Sequence, residues 1–257
     1  MNRLSLASEL ARHTFLEQWR SRYFQLMVIF GAALVYASLL LGQLAVEQEG
    51  RVLFNSGALF LELAALGAML LGCASSILRD MESKTIYLIL SRPVPRWIYI
   101  TGNYLGMAAA VGAAILCMGA LHYLLLAFKG AAPSAEAYLL VMLAAWLKAA
   151  VAGALAVLVS LVSTSLLSAV MIAVFFWTLG HFVPEASFLA QRLQGPAGWL
   201  AKPLLWVIPN MSLFNYRETL DLPPGAFPGW GIALPYALLY ICACLLFSVW
   251  LFRKREF

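Results

Sequence analysis

The chain has 257 residues, of which 63% are apolar and 11% charged, with a mean hydropathy of +0.85. Soluble domains average about 45–50% apolar and about 25% charged, so a water-soluble globule is excluded and lipid is the solvent for most of the chain. The net charge of +5 is distributed by a membrane rule rather than a nucleic-acid one, and Cys73, Cys117, Cys242 and Cys244 all sit in apolar blocks as small hydrophobes.

Residues 2 to 22 place Leu4, Ala7, Ala11, Phe15 and Trp19 on one helical stripe, which predicts an interfacial amphipathic helix. It reads either as a charged topology anchor or as an elbow that packs against a cytoplasmic partner. Six segments then qualify to cross a hydrocarbon core of about 30 Å: 23–46, 52–78, 98–128, 138–162, 166–183 and 231–252. Residues 138–183 must form two spans, because a single helix would extend about 69 Å. The triplet Ser163, Thr164, Ser165 marks the reversal. The first apolar block is too long for a signal-peptide core and is expected to be a retained span.

An even number of spans puts both termini on one side. That side carries Arg3, Arg12, Arg20, Arg22, Arg79, Lys84, Arg92, Arg96, Arg253, Lys254 and Arg255, against Arg51, Lys129, Arg192, Lys202 and Arg217 on the other. The positive-inside rule therefore predicts cytoplasmic termini.

Two intramembrane charges stand out. Glu62 and Lys148 each lie about ten residues into a span that starts outside, roughly 15 Å down. A charge at that depth costs about 2.5–3.5 kcal/mol on insertion scales, so each needs a partner. The two either pair with each other, contact a substrate or relay protons. His122 and His181 fall near the outer ends of their spans, where polar tips at headgroup level account for them more simply than a bis-histidine haem. Gly102 and Gly106 form a Gly-x-x-x-Gly pair suited to close helix packing.

The connection over residues 79–97 is more than a loop. Asp80 and Glu82 suit a helix start, Ile86, Ile89 and Leu90 give an apolar side, Pro93 and Pro95 stop the helix, and Arg92 and Arg96 follow. The external connection over residues 184–230 is apolar but broken by Pro196, Pro203 and Pro209. It reads either as re-entrant helices or as interfacial helices lying flat on Trp199, Trp206 and Trp230. No Gly-x-x-x-x-Gly-Lys-Ser/Thr stretch exists, so a P-loop ATP site is not expected on this chain.

The order of acidic residue, Lys84-Thr85-Ile86, a short amphipathic helix, Leu90-Ser91-x-Pro93-Val94-x-Arg96 and Gly102 resembles the signature of ATP-binding-cassette type-2 permeases. Lys84 and Asn103 depart from the Gly and Lys often found there. The resemblance implies one all-α transmembrane domain over 1–257, with an elbow helix (1–22), six spans, a cytoplasmic coupling helix (79–97) and re-entrant external helices (184–230). It implies that Asp80, Glu82, Lys84, Thr85, Arg92 and Arg96 couple to an ATPase, and that Trp199, Trp206, Pro209, Asn210 and Phe214 belong to an external gate. The chain would then be a non-enzymatic subunit of an exporter in the inner (cytoplasmic) membrane, without a cofactor of its own. Two copies of a separate ATPase would hold ATP and Mg, and a second permease, identical or homologous, would complete the pathway. A proton-coupled secondary carrier using Glu62 and Lys148, and a non-transporting membrane scaffold, are the alternatives.

Overall fold

The computed structural model describes residues 3–44, 48–83, 95–192, 205–219 and 229–254. Among these there is no strand. The helices are α1 (Arg3–Arg20), α2 (Arg22–Leu44), α3 (Glu49–Glu82), α4 (Arg96–Phe128), α5 (Ala135–Ser160), α6 (Leu166–His181), α7 (Val183–Arg192) and α8 (Trp230–Lys254). Two short 3-10 turns, η1 (Met211–Phe214) and η2 (Tyr216–Thr219), precede α8.

Five helices are long and apolar enough to cross a membrane, and α6 with α7 forms a sixth candidate bent by 63°. The chain is an all-α, multi-pass membrane protein. The expected fifth span, 166–183, differs from the others: α6 has 16 residues against 26 in α5. At 1.5 Å per residue it reaches about 24 Å, short of the roughly 30 Å core. Its outer end therefore stops well below that of α5, and other residues fill the space above it.

The hydrophobic pattern explains the layering. Helix α5 buries Ala144, Ala145, Ala149, Ala150, Ala152, Ala154 and Ala156, and these small side chains let α3, α4, α6 and α8 approach its backbone. Donors on α4 and α5 exploit that proximity. Tyr104 donates to the Ala150 carbonyl at 2.9 Å, Trp146 to Ala108 at 2.8 Å and Tyr138 to Gly119 at 2.8 Å. By contrast, α2 and α8 expose Leu26, Ile29, Phe30, Leu238, Leu239 and Leu246, which form an outer apolar surface. Gly130, at φ +66°, makes the left-handed turn between α4 and α5, and Ser134 caps α5. The reversal between α5 and α6 spans residues 161–165, where Ser165 accepts from the Ser168 N–H at 3.3 Å and starts α6 without Gly or Pro.

The amphipathic helix α1 packs across the start of α4. Its buried face is Leu10, Ala11, Thr14 and Gln18, rotated from the Leu4 to Trp19 stripe read from the sequence. The rotation has a polar cause: Thr14 donates to the Asn103 side chain at 2.8 Å. Gly102 faces Leu10, and Gly106 faces the Ala11 carbonyl and Thr14, so this glycine pair seats α1 within the same chain. A Cβ at Gly106 has no room, whereas Gly231 has open space around it. Gly106→Ala is therefore expected to lower stability by about 1–3 kcal/mol through overpacking, and Gly231→Ala to be neutral or slightly stabilising. Thermal unfolding of the two variants in detergent compares them directly.

Candidate functional site: a charge cluster beneath the external segment

Glu62 and Lys148 each stand thirteen residues into their helices, about 20 Å from the outer ends of α3 and α5. The structure brings them together: Lys148 Nζ donates to Glu62 Oε1 at 2.8 Å, with side-chain exposures of 1% and 7%. Two residues of the external segment join them. Arg217 Nη2 lies 3.3 Å from Glu62 Oε2, and Lys148 Nζ also donates to Asn215 Oδ1 at 3.0 Å. Each carboxylate oxygen of Glu62 thus meets a different cation. Such a pair is tolerated in an apolar interior only when the remaining polar atoms are also satisfied, which is what Asn215 does for Lys148. His181, at the outer end of α6, lies within Coulombic range of Glu62, Lys148 and Arg217 and bonds through Nδ1 to the Trp177 carbonyl at 3.0 Å.

Further contacts fix residues 207–214 above this cluster. Asn210 Oδ1 accepts from the Ser212 N–H (3.2 Å) and hydroxyl (2.6 Å) and so starts η1. From α8, Tyr236 accepts from the Asn210 N–H at 2.7 Å, and Tyr240, one turn on, donates to the Val207 carbonyl at 2.7 Å. From α6, Gly180 lies against the Pro209 carbonyl and Met211, with no space for a Cβ. Met211 and Phe214 are buried, and the Phe214 ring faces Tyr236 with centroids 6.4 Å apart. The short α6 leaves the volume that η1 and η2 occupy.

The other expected gate residues are divided. Trp206 is 86% exposed and takes no part in the cluster, while Trp199 lies outside the described residues. Arg217, Asn215, Tyr236 and Tyr240 carry no sequence signal of their own. Arg217 reads as an ordinary basic residue of an external connection until the segment is seen to turn inward.

A second group lies at the opposite end of the bundle. Lys84, Thr85 and Arg92 fall outside the described residues. Asp80 and Glu82 are in the last turn of α3, not at a helix start, because nothing after Ala74 breaks that helix. Asp80 sits there against the unfavourable end of the helix dipole and accepts from the Tyr99 hydroxyl at 2.6 Å. Glu82 is exposed. Arg96 Nη1 donates to the carbonyls of Phe252 (2.9 Å) and Arg253 (3.1 Å), a cation at the carbonyl end of α8, and Tyr99 stacks on Phe252. The start of α4 is thereby fastened to the end of α8, and Arg79 fastens α3 to α1 through Glu17 at 3.2 Å. His122 lies elsewhere, buried between α3 and α5, with Nδ1 3.1 Å from the Tyr138 hydroxyl.

A sequence profile described as ABC-2 family transporter protein matches residues 63–257, about three quarters of the chain. The chain belongs to the ABC-2 permease family. No curated protein matches it. As an ABC-2 permease it is a transmembrane subunit of an ATP-binding-cassette transporter, and the family implies an ABC ATPase as partner. The profile begins one residue after Glu62, so it covers the remainder of α3 and everything from α4 through α8, including the external segment, but neither α1 nor α2.

Proposed function

We propose that this permease forms half of an export pathway in the inner membrane, with cytoplasmic termini, and that two copies of a separate ATPase, which hold ATP and Mg, drive it through residues 79–97. A second permease, identical or homologous, completes the pathway. The observation that carries this reading is the continuity of α3. One 34-residue helix bears Glu62 at the buried cluster and Asp80 and Glu82 at the far end, about 27 Å away. A displacement of residues 79–97 on nucleotide binding is transmitted along α3 as along a rod. At Glu62 it loosens the hold on Arg217 and so on the external segment.

In this mechanism residues 205–219 form a re-entrant gate, and Glu62, Lys148, Asn215 and Arg217 are its latch. Asn210 and Pro209 shape the segment, Phe214 seals it, and Trp206 lies at its exposed outer edge. Arg96 and Tyr99 keep α4 and α8 moving together when the coupling end is pushed. A secondary carrier would have no use for the α3 extension toward residues 79–97, and a scaffold no use for a latched outer segment.

Deletion of residues 84–92 is expected to abolish co-purification of the ATPase that accompanies the full chain, while the protein still inserts and elutes as a monodisperse species. Undiminished ATPase retention with unchanged turnover would remove the basis for coupling through this segment.

A further inference from the structure

At the end of the bundle that carries the termini, a groove of about 500 Å³ opens between α1, α2, α3 and the first residue of α6. Its floor is one stripe of α3: Ala68, Leu71, Ser75, Leu78 and Arg79. From Arg79 down to Ala68 it runs about 16 Å, the thickness of one leaflet of hydrocarbon. Phe24 and Met27 of α2 and Leu166 of α6 make its walls apolar.

The mouth of the groove is polar and merges with a second cavity of about 580 Å³, to which Arg20 and Arg22 contribute. Gln18, Ser21 and Arg79 border both cavities. Gln18 is 5% exposed, and what remains accessible of it lines both cavities. A side-chain amide beside a cavity of this size can donate to an acceptor oxygen of a bound ligand. Charge narrows the choice. Arg79 is engaged with Glu17, which His13 also approaches at 3.9 Å, and Glu82 lies on the same rim. Arg20 and Arg22 are left to attract one anionic group, while Glu82 and Glu17 oppose a second.

We infer that this groove holds a glycerophospholipid of the adjacent leaflet, with one acyl chain along α3 and its single phosphodiester at Arg20, Arg22 and the Gln18 amide. Basic pockets between membrane helices bind phospholipid headgroups in this way. The lipid wedges α1 and α2 against α3 and makes the elbow part of the bundle. The site stands apart from the charge cluster, and although Arg79 and Glu82 of the coupling segment border it, the lipid contacts rest on Gln18, Arg20 and Arg22, so its failure would leave the transport reading untouched.

The test uses the full chain in a maltoside detergent, given equal amounts of phosphatidylglycerol and dioleoylglycerol, with retained lipid counted by mass spectrometry after gel filtration. Phosphatidylglycerol is expected to be retained one-to-one and preferred by at least about fivefold, roughly 1 kcal/mol. Arg20→Gln with Arg22→Gln should abolish the preference, leaving the Glu17–Arg79 pair in place. Ser75→Trp, which fills the groove without touching a charge, should lower retention of both lipids, and Arg253→Gln, outside both cavities, should change neither. Equal retention of the two lipids by the unmodified chain, or the same loss in Arg253→Gln as in the double variant, would overturn the proposal and indicate annular lipid alone.

Discussion

Glu62→Gln is expected to be the most damaging single substitution in the membrane-embedded part of the chain. It removes the carboxylate that both Lys148, at 1% exposure, and Arg217 face. Breaking a buried pair by removing one partner typically costs about 3–5 kcal/mol, because the remaining charge stays in a low-dielectric site. Lys148→Met should cost less, since Glu62 keeps Arg217. The geometry also changes what a double variant does. With two residues, neutralising both would restore stability. With four, Glu62→Gln plus Lys148→Met still strands Arg217, so recovery is partial, and adding Arg217→Gln should recover most of the remainder. Thermal unfolding of the series in detergent, read as coupling energies, decides it. Single effects that simply add would mean that the residues do not act as a cluster, and each helix would then rely on other contacts to hold the charge.

How much of this was legible in the sequence depends on whether a feature is local. The spans were, since each is a block of apolar residues bounded by charges or turn formers, and so was the matched depth of Glu62 and Lys148, which requires only counting from the start of two antiparallel helices. So, to within two residues, was the end of α6, since the expected span 166–183 stops close to His181. Pro184 follows just past that end, where the chain bends by 63° into α7. The positions of Arg217 and Asn215, by contrast, were hidden. Their depth is set by Gly180, Tyr236 and Tyr240 on two other helices, none of which is near them in sequence. Asp80 and Glu82 misled because acids are usual at helix starts. Here an acid at a helix end is offset by Tyr99, a residue of the next helix.

The latch itself is exposed to a kinetic test. In a background with Cys73, Cys117, Cys242 and Cys244 replaced by serine or alanine, a cysteine at Trp206, where the native side chain is 86% exposed, is expected to react rapidly with a membrane-impermeant thiol reagent added from outside. A cysteine at Met211, at 0% exposure, should react only when residues 207–219 swing away, so its rate reports the population of the open segment. Arg217→Gln removes one partly buried ion pair while leaving Glu62 and Lys148 paired. An exposed pair contributes up to about 1 kcal/mol and breaking a fully buried one costs about 3–5 kcal/mol, so for this intermediate pair the rate at position 211 should rise by roughly ten- to a hundredfold. Because the Glu62–Lys148 pair survives, the bundle stays folded and the rate at Trp206 should not move. ATP turnover by the associated ATPase should accelerate labelling at 211 in the same direction, as α3 shifts Glu62 away from Arg217. A Met211 site that stays slow in Arg217→Gln and during turnover would show that the tyrosines of α8 and Gly180 alone hold the segment, and that Glu62 has no part in gating.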